Sequence, residues 1–508
     1  MSIFIAVLVA VLALLVWKIR RTFTFWNDKG VPYQTFWQYL RVVYDLYTKP
    51  LHEVVRKNYE TYGRVYGSYQ GIVPTLVVGD PDLLSDVLVK DFKSFSDRTE
   101  AQKVGNEVWK KLIMNLSGEE WRRARNILSP AFTSTKLKTT VFKLSQIAGR
   151  AVTRMENAAM GEQPLAVNEV FENCAMDSTA ALMYGIDLDS FGDLDHPLLH
   201  CCEKLFSSVA SWQLVMLFTM PSVYKLLLPG YPPKESTEAL RKFVSLMIEE
   251  KQKKQSKDDD ILQMLLDTDC EEGDRKESGA KGDILGKGAM TLDEITAQAL
   301  LFFVAGTDTV MSSMTYATYF LALNPQCQER VLAEIDTAVE KRGVTYESLQ
   351  DMPYLEACIK ETMRLYSPDS VTMRMCTNET TVAGVRFKPG MNIDVPIAGV
   401  HYDPEFFPDP EKFQPERFLP ENKGNLKPLT FLAFGAGPRN CVGMRLGILQ
   451  VKVALACILE HVRFETCKET MARSFHYLLI PLKFKPRNLL PQMDGPLMLR
   501  VVLRRDDE

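Results

Sequence analysis

The 508-residue chain has no excess of charge of either sign. Sixty Lys and Arg face 64 Asp and Glu, a net of −4 spread along its length, so no basic field is present to hold a nucleic acid. Its ten cysteines form no Cys-x-x-Cys pair and no small-domain framework. Even the adjacent Cys201 and Cys202 fit free thiols in a reducing compartment rather than a disulfide scaffold. There is no low-complexity linker and no repeat of solenoid period, which excludes a string of separate cores and leaves one large, mainly helical domain with minor strand content. No Gly-rich turn stands between a strand and a helix in the manner of a dinucleotide or flavin site. Any electrons the protein uses must therefore come from a separate partner.

The amino terminus has no basic segment ahead of its apolar run and no Ala-x-Ala site after it, which argues against a cleaved signal peptide. Nor is it Arg-rich and amphipathic like a mitochondrial presequence. What is present is an uninterrupted apolar stretch from Ile3 to Trp17, closed by Lys18, Arg20 and Arg21. That pattern predicts a retained membrane anchor over residues 1–21 with everything after it on the cytosolic side, in the endoplasmic reticulum of a eukaryotic cell. Residues 22–35 form a hinge and 36–508 a single domain. This topology demotes the sequons at Asn115 and Asn378 to chance matches, because the cytosolic side is not glycosylated.

Within the domain, the β-branched run Ile72 to Val78, closed by Gly79-Asp80-Pro81, predicts a strand and turn, and Pro81 to Lys90 a helix. Ser117-Gly-Glu-Glu120 is a capping box opening a helix that sets Trp121 and Arg125 on one face. The segment Cys201 to Pro233 is apolar, aromatic and broken by Pro and Gly, which fits both core packing and a lid dipping into the bilayer. Glu249 to Gly288 is dense in charge and Gly around one short apolar helix at Ile261 to Leu266, and its later part reads as a surface loop. A second capping box, Thr291-Leu-Asp-Glu294, opens the longest predicted helix, which runs to Leu323 without proline. At its centre stands Ala305-Gly306-Thr307-Asp308-Thr309-Val310. An interior Gly costs about 1 kcal/mol against Ala, so Gly306 calls for a reason. A missing side chain lets a flat cofactor and dioxygen approach the backbone, while Asp308 and Thr309 can pass protons. A buried Thr309 bonded to its own helix is the alternative.

The most informative stretch is Phe434-Gly435-Ala436-Gly437-Pro438-Arg439-Asn440-Cys441-Val442-Gly443. A thiolate on haem iron must lie against the porphyrin face, and glycines at 435, 437 and 443 permit that approach and any positive φ it requires. Cys441 is the candidate axial ligand of the haem iron. Arg439 has the charge and fork to pair with a propionate, and Phe434, with backbone N–H donors, can shield and tune the sulfur. The decapeptide resembles the signature Phe-x-x-Gly-x-Arg-x-Cys-x-Gly of the cytochrome P450 family, matching all five fixed positions. The phrasing from Asn115 to Leu137 resembles its microsomal branch, which contains vertebrate drug-metabolising and insect detoxification enzymes. The likeness extends from the anchor to the strands near Met498 to Leu503.

The resemblance implies the cytochrome P450 fold, mainly α with small β-sheets behind one transmembrane helix, with haem b bound in residues 36–508 as a haem-thiolate catalytic domain. It assigns Trp121 and Arg125 to one propionate and Arg374 to the other. Ala305 and Gly306 would lie against the cofactor, with Gly443 beside the ligand, and Asp308 and Thr309 would form the catalytic acid-alcohol pair. The family motif departs at Val310, where a hydroxyl residue is usual. The pair Glu361 and Arg364, with Arg417, resembles the family's architectural Glu-x-x-Arg network. Leu301, Phe302, Ala305, Val371 and Met373 would line an apolar pocket, with Phe302 fitting either pocket or core. That lining fits steroids, fatty acids, terpenoids and foreign compounds alike. The implied reaction is monooxygenation, hydroxylation or epoxidation of a lipophilic molecule, with electrons from an NADPH-cytochrome P450 reductase and cytochrome b5 as a further candidate donor. Lys423, Lys427, Arg439 and Arg445 are candidates for the docking face. A haem-thiolate isomerase or dehydratase, or a non-catalytic haem carrier or sensor, would share the fold. Retention of Asp308 and Thr309 argues against both.

Overall fold

The apolar run at the amino terminus forms an unbroken helix, α1 (Ser2–Phe23), with Phe4, Ile5, Leu14 and Trp17 exposed and Arg20 and Arg21 in its last turn. The computed structural model describes residues 2–99, 105–192, 234–254, 260–267, 290–471, 482–486 and 491–504, with seven single positions between 213 and 226. Most of the apolar segment Cys201 to Pro233, and with it the lid reading, lies outside the described residues, as does the charged stretch 268–289. The short helix expected between them is present at Ile261–Asp267.

Helix α2 (Leu51–Tyr62) is followed by β1 (Val65–Gln70) and β2 (Val73–Val78), which pair antiparallel around Gly71 at φ +64°. Asp80 caps the next helix, Pro81–Ser85, by accepting from the N–H groups of Asp82 and Leu83. That helix does not continue in one form to Lys90, because Asp86–Lys90 widens into a π-helical turn. Helix α3 (Gly118–Leu128) carries Trp121 and Arg125. The capping box expected at its start is not formed. Gly118 adopts φ +51°, which turns Ser117 away from the amide it would cap. The Ser117 hydroxyl is buried without a partner, and Asp97 accepts the Gly118 N–H at 3.2 Å instead. Asn115 is buried, its amide donating to the Trp109 carbonyl at 2.9 Å, so in the folded protein it offers no glycan acceptor.

Helices α4 (Ser134–Met160), α5 (Val167–Tyr184) and α6 (Leu292–Leu323) supply much of the largest core, including Leu144, Ala151, Phe171 and Phe320. The second capping box is formed: Thr291 accepts from Glu294 N–H and Glu294 from Thr291 N–H. By length and composition α6 could cross a bilayer, yet half of its most apolar stretch is buried in the fold, which makes it a core helix. Helix α7 (Pro353–Leu365) has Pro353 in its first turn, where the lost N–H has no intrahelical partner to miss. Strands β3 (Thr372–Met375) and β4 (Asn392–Val395) complete a four-stranded sheet in the order β1-β2-β4-β3, β4 running parallel to β2 and antiparallel to β3. Helix α8 (Met444–His461) begins three residues after Cys441 and packs on α4. A second sheet joins Leu165–Ala166, Met498–Leu503 and Val462–Glu465.

One residue of the first sheet is held against its own chemistry. Asp394 pairs in register with Met373 and Val77, its Oδ1 is buried without a partner, and burial pushes its carboxyl up to about 7. The folded state therefore binds this proton more tightly than the unfolded chain, so stability falls as pH rises from about 4 to 7 and levels off above. Asp394→Asn is expected to flatten that slope and to stabilise the protein at pH 8 by on the order of 2–4 kcal/mol. Thermal midpoints of both proteins at pH 5 and pH 8 check it, and equal midpoints at pH 8 would refute it.

Candidate active site

The loop before α8 is shaped by two glycines. Gly435 and Gly437 have φ of +67° and +73°, and a Cβ at Gly437 would stand 1.9 Å from the Leu88 carbonyl oxygen. No other residue fits there. Gly443 differs, with φ −85° and only ordinary contacts around a built Cβ, the Cys441 sulfur among them. The Cys441 N–H in turn donates to the Phe434 carbonyl at 2.8 Å. The Cys441 side chain has open surface, while burial raises its thiol, against the Gly443 N–H and nearby Arg125. The sulfur is thus both solvent-accessible and surrounded by protein. A bound metal ion would reverse that shift.

Around this sulfur the chain gathers more positive charge than it neutralises. Arg439 is buried over the Trp121 ring at 4.5 Å, donates to the Leu116 carbonyl at 2.6 Å, and has Asp97 3.9 Å away, leaving its Nε and Nη1 unpaired. Arg374 is buried, donates only to Thr372 Oγ1 and the Met373 carbonyl, and has an orphaned Nε. Arg98 donates to the same two groups and has an orphaned Nε as well. Burial and mutual repulsion hold Arg374 well below the usual guanidinium range and pull Arg439 down to about 9. Buried guanidinium groups with free donors are stable only if an anion completes them. A dianionic group beside a thiol matches haem b, whose propionates would meet Arg98, Arg374 and Arg439 while Cys441 meets the metal. Arg125 is already engaged, with the Asn440 carbonyl and Oδ1, both at 2.9 Å. Sequence reasoning missed Arg98. It lies 274 residues from its partner Thr372, and no local spacing signals it. Reasoning from sequence also placed Arg439 on the docking face, where its burial excludes it. Lys423, Lys427 and Arg445 are exposed.

At the centre of α6 the predicted residues separate onto different sides. Ala305 is exposed and Thr309 stands one turn later, its hydroxyl donating to the Ala305 carbonyl at 2.6 Å and leaving its lone pairs free to accept. Gly306 faces α5, because a Cβ there would stand 3.1 Å from Thr179 Oγ1. Close helix packing, and not a flat cofactor, is what this Gly accommodates. Burial, with a smaller contribution from the charge of Glu172, pushes the Asp308 carboxyl up to about 6, which puts its titration within the range useful to an acid-base group. Val310 is buried among Met314, Ala317 and other core residues. Phe302 packs edge-on against Phe132 at 5.7 Å, with Leu301 beside it on the same core cluster. Val371 is half-buried, and Met373 is buried with its sulfur 3.4 Å from Gln70 Nε2.

Behind the loop, Glu361 and Arg364 form a fully buried pair, Nε to Oε2 at 2.8 Å and Nη2 to Oε1 at 2.9 Å, with Arg417 Nε 3.4 Å from Oε1. Arg364 also donates to the carbonyls of His401 and Pro410. The His401 Nδ1 is 3.0 Å from the Arg364 carbonyl, and its Nε2 accepts the Leu432 N–H at 2.8 Å. Those partners require a neutral ring protonated at Nδ1, and burial beside Arg364 lowers His401 to about 3. Leu432 then accepts from Gly435 N–H at 2.8 Å. The buried network thus reaches the Cys441 loop through His401, a link absent from any local motif.

Comparison with known proteins agrees with this geometry. The family model described as Cytochrome P450 matches residues 30–488. Cytochrome P450 3A41 of Mus musculus is 32% identical over 506 residues, covering 98% of this chain and 96% of the relative. Cytochrome P450 3A11 of the same species is 32% identical with the same coverage. The lithocholate 6-beta-hydroxylase of Mesocricetus auratus is 32% identical over 453 residues, 88% of this chain and 86% of its own length. The chain belongs to the cytochrome P450 family, and is a haem-thiolate monooxygenase that carries haem b and acts on lipophilic molecules.

Proposed function

We propose that the chain hydroxylates or epoxidises a lipophilic small molecule at the endoplasmic reticulum membrane, anchored by α1 and fed by NADPH-cytochrome P450 reductase, with cytochrome b5 as a second donor. Steroid, lipid and foreign-compound chemistry are the substrate classes in view, in keeping with the bile-acid hydroxylase among the relatives. The observation that carries this reading is the set of orphaned guanidinium donors beside an accessible Cys441. An exposed apolar helix whose last turn carries Arg20 and Arg21 supports the anchor, because such an apolar surface is costly in water.

Haem, when bound, supplies the reductive activation of dioxygen. Cys441 would hold the metal and supply thiolate electron density to it, which the Gly443 backbone would temper. Arg98, Arg374 and Arg439 would hold the propionates, with Trp121 packed under Arg439. Leu301, Ala305, Val371 and Met373 exclude water and orient the apolar substrate. Thr309 Oγ accepts and passes on a proton, and Asp308 reloads it. Electrons enter from the face bearing Lys423, Lys427 and Arg445.

A proton donor is loaded below its pKa, so turnover is expected to fall as pH rises past about 6, the value to which burial pushes Asp308. Asp308→Asn removes that inflection, slows product formation roughly 10²-fold and raises hydrogen peroxide release per NADPH consumed. Holoenzyme reconstituted with the reductase tests this. Product formation that needs no NADPH would overturn the monooxygenase assignment, and an unchanged pH profile in the variant would remove Asp308 from the proton path.

A further inference from the structure

Away from Cys441, a cavity of about 170 Å³ opens between the start of α2, the carboxyl ends of α6 and α7, and the segment around Phe484. None of Cys441, Ala305, Thr309, Val371 or Met373 lines it. Its walls combine aromatic rings with charged groups: Tyr366 and Phe484 are tilted 59° to each other with centroids 5.0 Å apart, Tyr402 lines another part, and Glu53, Arg56, Arg364 and Glu411 also reach it. Two hydroxyls line the same cavity, Ser367 and Ser370, both more than nine-tenths buried and both without a hydrogen-bond partner. Native folds rarely leave two buried hydroxyls of one cavity unmet. His52, edge-on to Phe484 at 4.8 Å, adds an uncharged imidazole, since burial and the Arg56 charge lower it to about 4.

From this combination we infer a second ligand site, separate from the monooxygenase pocket, that takes a single-ring aromatic carrying a hydroxyl group. Size sets the first half of that description, because an engineered apolar cavity of about 150 Å³ holds one benzene ring. The orphaned hydroxyls set the second. A phenolic O–H both donates and accepts, so it can satisfy Ser367 and Ser370 while its ring packs against the aromatic pair Tyr366 and Phe484. The site is not a passive void: the Ser370 carbonyl accepts the Ala398 N–H at 3.1 Å, and Ser370 directly precedes the stretch Val371 to Met373, so an occupant bears on the substrate pocket through one backbone segment.

The probe is 4-fluorophenol, followed by ¹⁹F NMR on the full-length haem-loaded enzyme with its iron already ligated by a tight-binding azole. Saturable binding at one site per chain, with no change in the optical spectrum of the azole complex, is expected. Ala398→Leu, which fills the cavity, weakens it at least about 10-fold, and the double variant Ser367→Ala with Ser370→Ala weakens it about 5-fold through lost hydrogen bonds. Fluorobenzene, lacking the hydroxyl, binds wild type about 5-fold more weakly. Should Ala398→Leu fail to fold, Ser367→Leu fills the same space from the other wall. Binding abolished by the azole, unaffected by the filling variants, or absent altogether because the cavity holds water alone, overturns the site, and equal binding of fluorobenzene overturns the hydroxyl recognition.

Discussion

Replacing Cys441 with Ser is expected to abolish the red-shifted Soret band of the dithionite-reduced, carbon-monoxide-bound protein and to reduce monooxygenase turnover below detection. A serine hydroxyl does not ionise in the accessible pH range and cannot supply the electron density of a thiolate. The loop itself does not depend on the sulfur. Its path is set by positive φ at Gly435 and Gly437, by the close approach of Gly437 to the Leu88 carbonyl, and by the hydrogen bond from the residue 441 N–H to the Phe434 carbonyl. The variant should therefore fold and take up haem, which separates loss of ligation from loss of structure. Cys457→Ser is the control: its thiol is pushed up to about 11 by burial, and no guanidinium group is among the causes of that shift. A red-shifted band that survived in haem-loaded Cys441→Ser would assign the iron to another ligand, and the roles given to Gly443 and Arg439 would fall with it.

What could be read from the sequence followed from how local each determinant is. Thr291 and Glu294 cap a helix within four residues, so the box was legible and is formed. The Cys441 loop was legible because glycines, a cation and a thiol within ten residues have few other uses. Ser117 presents the same local signal as Thr291, yet Asp97 competes for the helix start from twenty-one residues away. Gly306 illustrates the same limit: a Gly inside a helix announces a close approach, but only the placement of Thr179 tells which neighbour approaches. Arg98 and His401 were invisible because their partners, Thr372 and Leu432, are set by the fold and not by spacing. Charge alone also misled at Arg439, since a cation near a cysteine loop reads equally as surface or as buried cradle.

Arg364→Ala should be the most damaging substitution away from the cofactor. Both members of its pair are fully buried, and Glu361 additionally accepts the Gln414 N–H at 3.0 Å and faces Arg417. Removing one partner of such a pair leaves the other charge in a medium that cannot solvate it, at a cost of about 3–5 kcal/mol. Set against a net stability of roughly 5–15 kcal/mol, that loss is enough to deplete the folded state. The damage should also travel. Arg364 donates to the His401 carbonyl, His401 bridges the Arg364 carbonyl to Leu432, and Leu432 accepts from Gly435, so the thiolate loop loses its support on one side. The expected outcome is a thermal midpoint lower by about 3–5 °C and a smaller share of chains with the red-shifted carbon-monoxide band. Arg364→Lys should rescue little, because an ammonium cannot reproduce a fork that contacts one carboxylate and several carbonyls together. The exposed pair of Arg122 with Glu119 sets the comparison, where Arg122→Ala should change stability by no more than about 1 kcal/mol. If Arg364→Ala melted like Arg122→Ala, the buried network would be incidental to the fold, and the support of the Cys441 loop would have to come from its glycines alone.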